Sequence, residues 1–268
     1  SASVVGMTPT TPDIAPEPAP RPLAVPCRTL GFDAPWRWLR LGWEDFRRAP
    51  GLSLLFGAVI VLVSMAVSAL AWWLGRFALL ATLLSGFVFV APMLAVGLYC
   101  VSRSLEHGES PSLRCSFALA RRVAGQAGVY ALAQGVVILL WSRAGMMLSA
   151  LWPVHQGDTA ALLEYLLIGS GVGAVFATVT FAISAFSLPM VADRDVDMVT
   201  ACVSSVNAVL RNKPVMVLWG GVLVAITVLG FATAFLGLAV AMPWLAYATW
   251  HAYRDTLDPQ DWSALDQP

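Results

Sequence analysis

Side chains able to carry out chemistry are few in this chain and lie far apart. Its 268 residues include three histidines and four cysteines, namely His107, His155, His251, Cys27, Cys100, Cys115 and Cys202. The cysteines lack the C-x-x-C spacing of metal and redox sites. The loop Glu106-His107-Gly108-Glu109 offers one imidazole and two carboxylates, which is a weak metal signal. Because GxSxG, Walker and HExxH motifs are also missing, the sequence predicts a non-enzymatic protein with no catalytic residue, cofactor or metal.

Charged residues gather in three short stretches, "SRSLEHGE", "ADRDVD" and "WHAYRD". If these stretches lie at the same depth in the molecule, their opposite charges would form one polar network on the cytoplasmic side. Its members would be Arg103, Glu106, Asp193, Arg194, Asp195, Asp197, His251 and Arg254. The alternative is a set of solvated loop ends and helix caps, with Asp197 capping the helix that follows it.

The composition indicates which solvent surrounds the elements that carry these residues. The chain is 58% hydrophobic and 12% charged, whereas a soluble domain averages about 45–50% apolar and about 25% charged residues. Its mean hydropathy is +0.73. So few charges cannot cover a soluble globule, which favours a lipid environment. The net charge of zero provides no basic field that would attract nucleic acid.

Apolar runs long enough to cross a membrane, which takes about 20 helical residues, occur along most of the chain. The last of them, 214–253, is about twice that length and is best divided near 230–237, although one long tilted helix with an interfacial piece is the alternative. The fold class predicted is an all-α membrane protein whose membrane domain covers 36–255. Its six predicted spans are 52–74, 77–101, 127–148, 164–190, 214–231 and 235–253.

Basic residues flanking the spans predict the orientation of the chain. Fourteen lie on the side of both termini, and only Arg76 and Arg143 lie on the other. This asymmetry places the N- and C-termini in the cytoplasm, where thiols stay reduced. The tails on that side are predicted to be a disordered Pro-rich segment, 1–35, with a proline-dependent docking segment as the alternative, and a short acidic segment, 256–268.

The segment "WRWLRLGWEDFRR" that precedes the first span has the pattern of an amphipathic helix. Aromatic and aliphatic residues recur on one helical face and charges fill the other, which is typical of a helix lying in the membrane interface beside anionic headgroups. The predicted anchors are Trp36, Arg37, Trp38, Arg40, Trp43, Arg47 and Arg48. Similar segments precede the third and fifth spans. The sequence therefore predicts three helical hairpins, each led by a cytoplasmic interfacial helix.

Prolines and small residues in the spans give further expectations. The second span of each hairpin contains a proline, at Pro92, Pro189 and Pro243, where we expect a kink. A ridge of small residues in the fourth span, Gly169, Gly173 and Ala177, predicts close helix packing. Because the middle of the spans carries no acidic residue, a proton-coupled carrier of the carboxylate type is disfavoured.

The stretches "PWRWLRLGWEDFRRAPGLSLLFG", "APMLAVGLYCVSRSLEHGESPSL" and "FSLPMVADRDVDMVTACVSSVNAVLRNKPVMVLWG", with "ATWHAYRD", resemble a family of bacterial integral membrane proteins. The family is catalogued as a domain of unknown function, and some members are loosely labelled cytochrome c oxidase subunits. The resemblance covers roughly 30–257 and implies a six-span inner-membrane protein without established catalytic residues. A haem–copper catalytic subunit needs several histidine ligands inside its spans, and this chain has at most His251, at a membrane edge.

Two functions are consistent with these observations. The first is a non-enzymatic inner-membrane scaffold, or an accessory or assembly subunit of a respiratory complex, with the bilayer and a membrane protein complex as its partners. The alternative is a small-solute permease or channel whose path runs near the three prolines. A tightly packed interior would favour the first function, and polar residues converging between the spans would favour the second. An enzyme acting on lipid ranks third, because the sequence shows no nucleophile paired with a base.

Overall fold

A computed structural model describes residues 23–74, 77–151 and 159–265. Within these ranges the chain is helical and contains no strand, apart from two isolated bridges that join Cys27 to Leu257 and Arg194 to Ala264. Its nine helices there are α1 (Ala34–Arg48), α2 (Pro50–Leu74), α3 (Phe77–Glu106), α4 (Leu113–Arg122), α5 (Ala124–Leu151), α6 (Thr159–Asp193), α7 (Met198–Arg211), α8 (Lys213–Ala232) and α9 (Leu238–Thr256).

The helix boundaries follow local sequence signals. The side chain of Ser112 accepts a hydrogen bond from the backbone of Cys115 at the start of α4. Asp197 accepts one from the backbone of Thr200 at the start of α7, at 2.9 Å. Such caps satisfy backbone donors that have no partner inside the helix. Helix α8 has a proline in its first turn, which suits a position where no backbone donor is needed.

Among the described residues, four helices are long and apolar enough to cross a membrane: Pro50–Leu70 of α2, α5, α6 and α8. The other two predicted spans coincide with α3 and α9, which are not among these four. The prediction that the last apolar stretch divides near 230–237 is confirmed, because α8 ends at Ala232 and α9 begins at Leu238. Positive φ angles at Ala234 and Phe235, 52° and 70°, break the helix and exclude a single long one.

Helix α9 forms the centre of the molecule and packs against α1, α2, α3, α6 and α8. Two glycines permit the closest approaches to it. A Cβ atom on Gly42 of α1 would lie 2.6 Å from the backbone nitrogen of Ala248, and one on Gly57 of α2 would overlap the carbonyl oxygen of Ala239. Helices α1 and α2 can therefore lie directly on α9 only because both positions lack a side chain.

Both tails pack onto the same end of the bundle, which differs from the prediction of a disordered segment over 1–35. The structure describes this segment from Leu23 onward, and there Val25 is fully buried and its amide donates to Ser204 at 2.9 Å. In the C-terminal segment, Trp262 is buried and the amide of Asp258 bonds the carbonyl of Pro26. Proline content suggested disorder over 1–35, but a buried apolar side chain and hydrogen bonds hold the described part of that segment on the bundle. The predicted disorder of 1–22 lies outside the described residues, as do 266–268.

The ridge of small residues in α6 faces α5 over part of its length. A Cβ atom on Gly169 or Gly173 would be in ordinary contact distance of Leu148 or Trp141, at 3.4 and 3.8 Å. Ala177 is exposed. The first two positions of the ridge thus face α5 with room for a Cβ atom, and its third position faces outward.

Candidate functional site: an ion cluster where α3, α6 and α9 end

The C-terminal ends of α3, α6 and α9 meet and bring five charged residues together. These residues, which we call the ion cluster, are Arg103, Glu106, Asp193, Arg194 and Arg254. Each helix ends with its carbonyl groups and the negative end of its dipole at this place. Arginines near these ends are therefore stabilised by the helices as well as by the carboxylates.

Asp193 is the centre of the ion cluster. One of its carboxylate oxygens lies 3.1 Å from Nε of Arg194 and 3.3 Å from Nη1 of Arg254. It also accepts a hydrogen bond from the hydroxyl of Tyr253 at 2.8 Å. The second oxygen lies 3.7 Å from Nε of Arg103. Arg254 reaches further, to Glu106 at 2.8 Å, so one chain of contacts joins all three helix ends.

The pair formed by Arg103 and Asp193 is buried, with each side chain only 6% exposed. Nε of Arg103 has no hydrogen-bond partner among the described residues, and another nitrogen of its guanidinium donates to the carbonyl of Leu265. Removing a charge from water is costly unless an opposite charge replaces the solvent. Asp193 is the carboxylate that compensates the buried charge of Arg103.

The C-terminal segment closes the ion cluster from outside. The amide of Leu265 donates to the carbonyl of Asp193, and the amide of Asp195 donates to the carbonyl of Ser263, both at 2.9 Å. Nη1 of Arg194 donates to the carbonyl of Trp262 at 3.1 Å. The segment therefore covers the buried charges with backbone carbonyls and a tryptophan.

Three residues predicted in the network are placed elsewhere. The exposed Asp195 engages the C-terminal segment through its backbone. Asp197 caps α7, and hydrogen bonds from Thr200 lower its pKa. His251 lies 2.8 Å from a carboxylate oxygen of Asp45 in α1. The sequence analysis considered contacts among the three charged stretches, but it did not predict this contact with α1.

A second set of polar contacts joins α1 to the end of α9 and was missed by the sequence analysis. Arg37 forms an ion pair with Asp255, and the indole nitrogen of Trp38 donates to the same carboxylate at 2.8 Å. These residues are about 217 positions apart, and no local pattern links them. Only the packing of α1 along α9 brings them together.

The predicted membrane anchors divide into two groups. Trp36, Trp43, Arg40, Arg47 and Arg48 are exposed on α1. Trp38, in contrast, is fully buried and meets the ring of Trp219 edge-on, with centroids 5.4 Å apart. Trp38 is therefore a core residue and has no surface to offer to lipid. Arg37 is half-buried through its contact with α9.

The three prolines predicted to kink the spans, Pro92, Pro189 and Pro243, lie within α3, α6 and α9, and each is buried. Each helix continues past its proline. The prolines belong to the core of the bundle, in the three helices that end at the ion cluster.

A small polar group lies between α5 and α6. The side-chain amide of Gln134 donates to the hydroxyls of Tyr130 and Ser184, at 2.9 and 2.6 Å. Tyr130 also donates to Ser184 at 2.6 Å, and Ser184 donates to the carbonyl of Thr180. These groups satisfy one another's hydrogen bonds, as buried polar groups do in stable helix pairs.

Among the described residues, no group of three or more His, Cys, Asp or Glu side chains is arranged to hold a metal ion. No curated protein and no solved structure matches the chain. Residues 79–193 match the model of a family described as predicted integral membrane proteins, DUF2189, whose function is unknown. The resemblance seen in the sequence is confirmed over these residues. Together with the four apolar helices, the match identifies the chain as a helical integral membrane protein.

Proposed function

We propose that the chain is a non-enzymatic scaffold or accessory protein of the bacterial inner membrane. In this arrangement α2–α3, α5–α6 and α8–α9 are three hairpins that supply six spans, and α1, α4 and α7 lie in the cytoplasmic interface. Both termini are then cytoplasmic. The helix positions support the proposal, because a short helix with exposed arginines precedes each pair of long helices.

The observation that carries the proposal is that the carboxylates of the ion cluster are engaged by neighbouring side chains. Asp193 is occupied by Tyr253 and three arginines, and Glu106 accepts from Arg254 and from the indole of Trp250. Carboxylates engaged in this way are poor candidates for proton transfer or ligand binding. They brace three helices at one end, which is the property that a scaffold requires.

The paired helices α5 and α6 offer a surface for a membrane partner. Large apolar side chains are exposed along both, including Leu132, Leu139, Leu167 and Val175. Such a surface faces lipid or other apolar helices. The partner that the family resemblance suggests is a respiratory complex, and exposed Arg40, Arg47 and Arg48 on α1 suit anionic headgroups.

The permease alternative has one observation in its favour, the polar group of Tyr130, Gln134 and Ser184 between two apolar helices. These side chains bond to one another, which argues for a role in helix packing. Uptake of a solute by the purified chain in liposomes, with loss of uptake in Gln134→Leu, would support transport over the scaffold function.

The test of the scaffold proposal is purification of the full chain from its native membranes in a mild detergent. A photo-crosslinking residue would replace Leu167 of α6, and the control would replace Val217 of α8, which is also strongly exposed. We expect stoichiometric partner proteins with haem absorption bands, and crosslinks to them from position 167 only. A colourless protein that purifies alone and gives the same crosslinks from both positions would contradict the proposal.

A further inference from the structure

An apolar groove lies between α2, α3, α4 and the first residue of α5. Its volume is about 570 Å³, within the range of about 300–1,000 Å³ that is usual for ligand sites. The large side chains that line it are Phe56, Met93, Leu94, Leu113 and Phe117. The groove therefore suits an apolar ligand of substantial size.

The shape of the groove is fixed by contacts between α2, α3 and α4. A Cβ atom on Gly97 would lie 2.9 Å from the ring of Phe56, so the ring reaches its position because α3 has no side chain there. The hydroxyl of Ser116 donates to the carbonyl of Gly97 at 2.9 Å and ties α4 to α3. The groove is thus part of the packed structure and does not need a ligand to form.

One charged residue, Arg121, lines this groove. It is exposed and forms no ion pair with any carboxylate of the described residues. A guanidinium beside a long apolar surface complements a phospholipid, since acyl chains fill the apolar part and the phosphate binds the cation. A second apolar cavity, of about 630 Å³ and lined by Ala66, Ala69, Leu70 and Trp73, has no charged lining residue.

We propose that this groove binds one anionic phospholipid, with an acyl chain along Phe56, Leu94 and Phe117 and the headgroup phosphate on Arg121. The inference rests on the interfacial position proposed for α4, and it does not depend on any protein partner. Because Ser116 of α4 is hydrogen-bonded to Gly97 of α3, the lipid would lie against both helices and hold α4 in place.

The experiment is native mass spectrometry of the full, delipidated chain in mild detergent, titrated with dioleoyl phosphatidylglycerol or with dioleoyl phosphatidylcholine. Arg121→Glu removes the phosphate contact. Its matched control is Arg114→Glu, the same change at an exposed position of α4 that does not line the groove. Ala124→Trp fills the groove, and Val129→Trp is its control at an exposed position of α5.

We expect one tightly bound phosphatidylglycerol on the unmodified chain. Arg121→Glu should weaken its binding about tenfold relative to Arg114→Glu, since one basic side chain near a membrane surface contributes a large part of such a factor. Ala124→Trp should weaken the binding of both lipids, and Val129→Trp should weaken the binding of neither. Equal losses in the two arginine variants, or unchanged binding in Ala124→Trp, would overturn the proposal. Dimers that are lost in Ala124→Trp would also overturn it, because a second copy would then occupy the groove.

Discussion

Replacing Asp193 by Asn tests the ion cluster most directly. The change keeps the size of the side chain and a carbonyl that can accept from Tyr253, but it removes the negative charge. Arg103, which is 6% exposed and lies 3.7 Å from this carboxylate, would then be a buried cation without an anion. Breaking a buried pair in this way costs about 3–5 kcal/mol. Arg254 keeps Glu106 as a partner, so we expect the free energy of unfolding to fall by an amount near the lower end of this range, about 3 kcal/mol.

The assay is the free energy of unfolding in mixed micelles, with far-ultraviolet circular dichroism measured against increasing sodium dodecyl sulfate. The matched control is Asp195→Asn, the same change two residues away at an exposed side chain. It should lower the free energy of unfolding by less than about 0.5 kcal/mol, as surface substitutions usually do. In a variant that also carries Arg103→Met, Asp193→Asn should lower the free energy of unfolding much less, because the buried cation is no longer present.

Two results would refute this reasoning. If Asp193→Asn and Asp195→Asn differ by less than about 0.5 kcal/mol, the buried charge of Arg103 does not depend on Asp193. If the double variant is no more stable than Asp193→Asn alone, the cost arises from something other than an uncompensated arginine.

Three further predictions concern close approaches and caps. Gly57→Ala should lower the free energy of unfolding by more than about 2 kcal/mol, because the added methyl group separates α2 from α9. Gly221 has open space around it, so Gly221→Ala should leave the free energy of unfolding unchanged or raise it. Equal changes in the two variants would contradict the close contact between α2 and α9. The Sγ atoms of Cys100 and Cys115 lie 2.7 Å apart, so copper–phenanthroline should remove these two thiols from a thiol titration, and four remaining thiols would contradict the geometry. Hydrogen bonds donated by the side chain and the backbone amide of Thr200 lower the pKa of Asp197. Its cap therefore stabilises the chain above the unfolded carboxyl pKa of about 3.9 and fails as the pH falls through the lowered folded value; unfolding measured from pH 6 to 2 should show a smaller acid loss in Asp197→Asn.

The sequence was sufficient to predict where most helices begin and end. Apolar runs give their approximate length, and local signals such as the cap at Asp197 fix the ends. The break between α8 and α9 was predictable because a run of about forty apolar residues is too long for one crossing. These features depend on residues close together in the chain, so they can be read without knowledge of the fold.

The sequence could not reveal the role of Trp38. The sequence analysis counted Trp38 among the membrane anchors of an amphipathic interfacial helix. That argument assumes that a surface helix has one apolar neighbour, the membrane. In the structure α1 contacts both α8 and α9, so Trp38 packs against Trp219 on a second buried side. Packing on two sides is a property of the tertiary fold, and periodicity alone cannot show it.

Packing against protein on several sides also explains why α9 can have a low hydropathy. Lipid would leave many of its polar side chains without hydrogen-bond partners, but protein surrounds this helix and three of its aromatic polar groups find partners on three different helices. Tyr247 meets Ser53 of α2, at 2.8 Å. Trp250 bonds Glu106 of α3, and Tyr253 bonds Asp193 of α6. Because these partners lie on α2, α3 and α6, which all precede α9 in the chain, the three contacts can form only after those helices have been made.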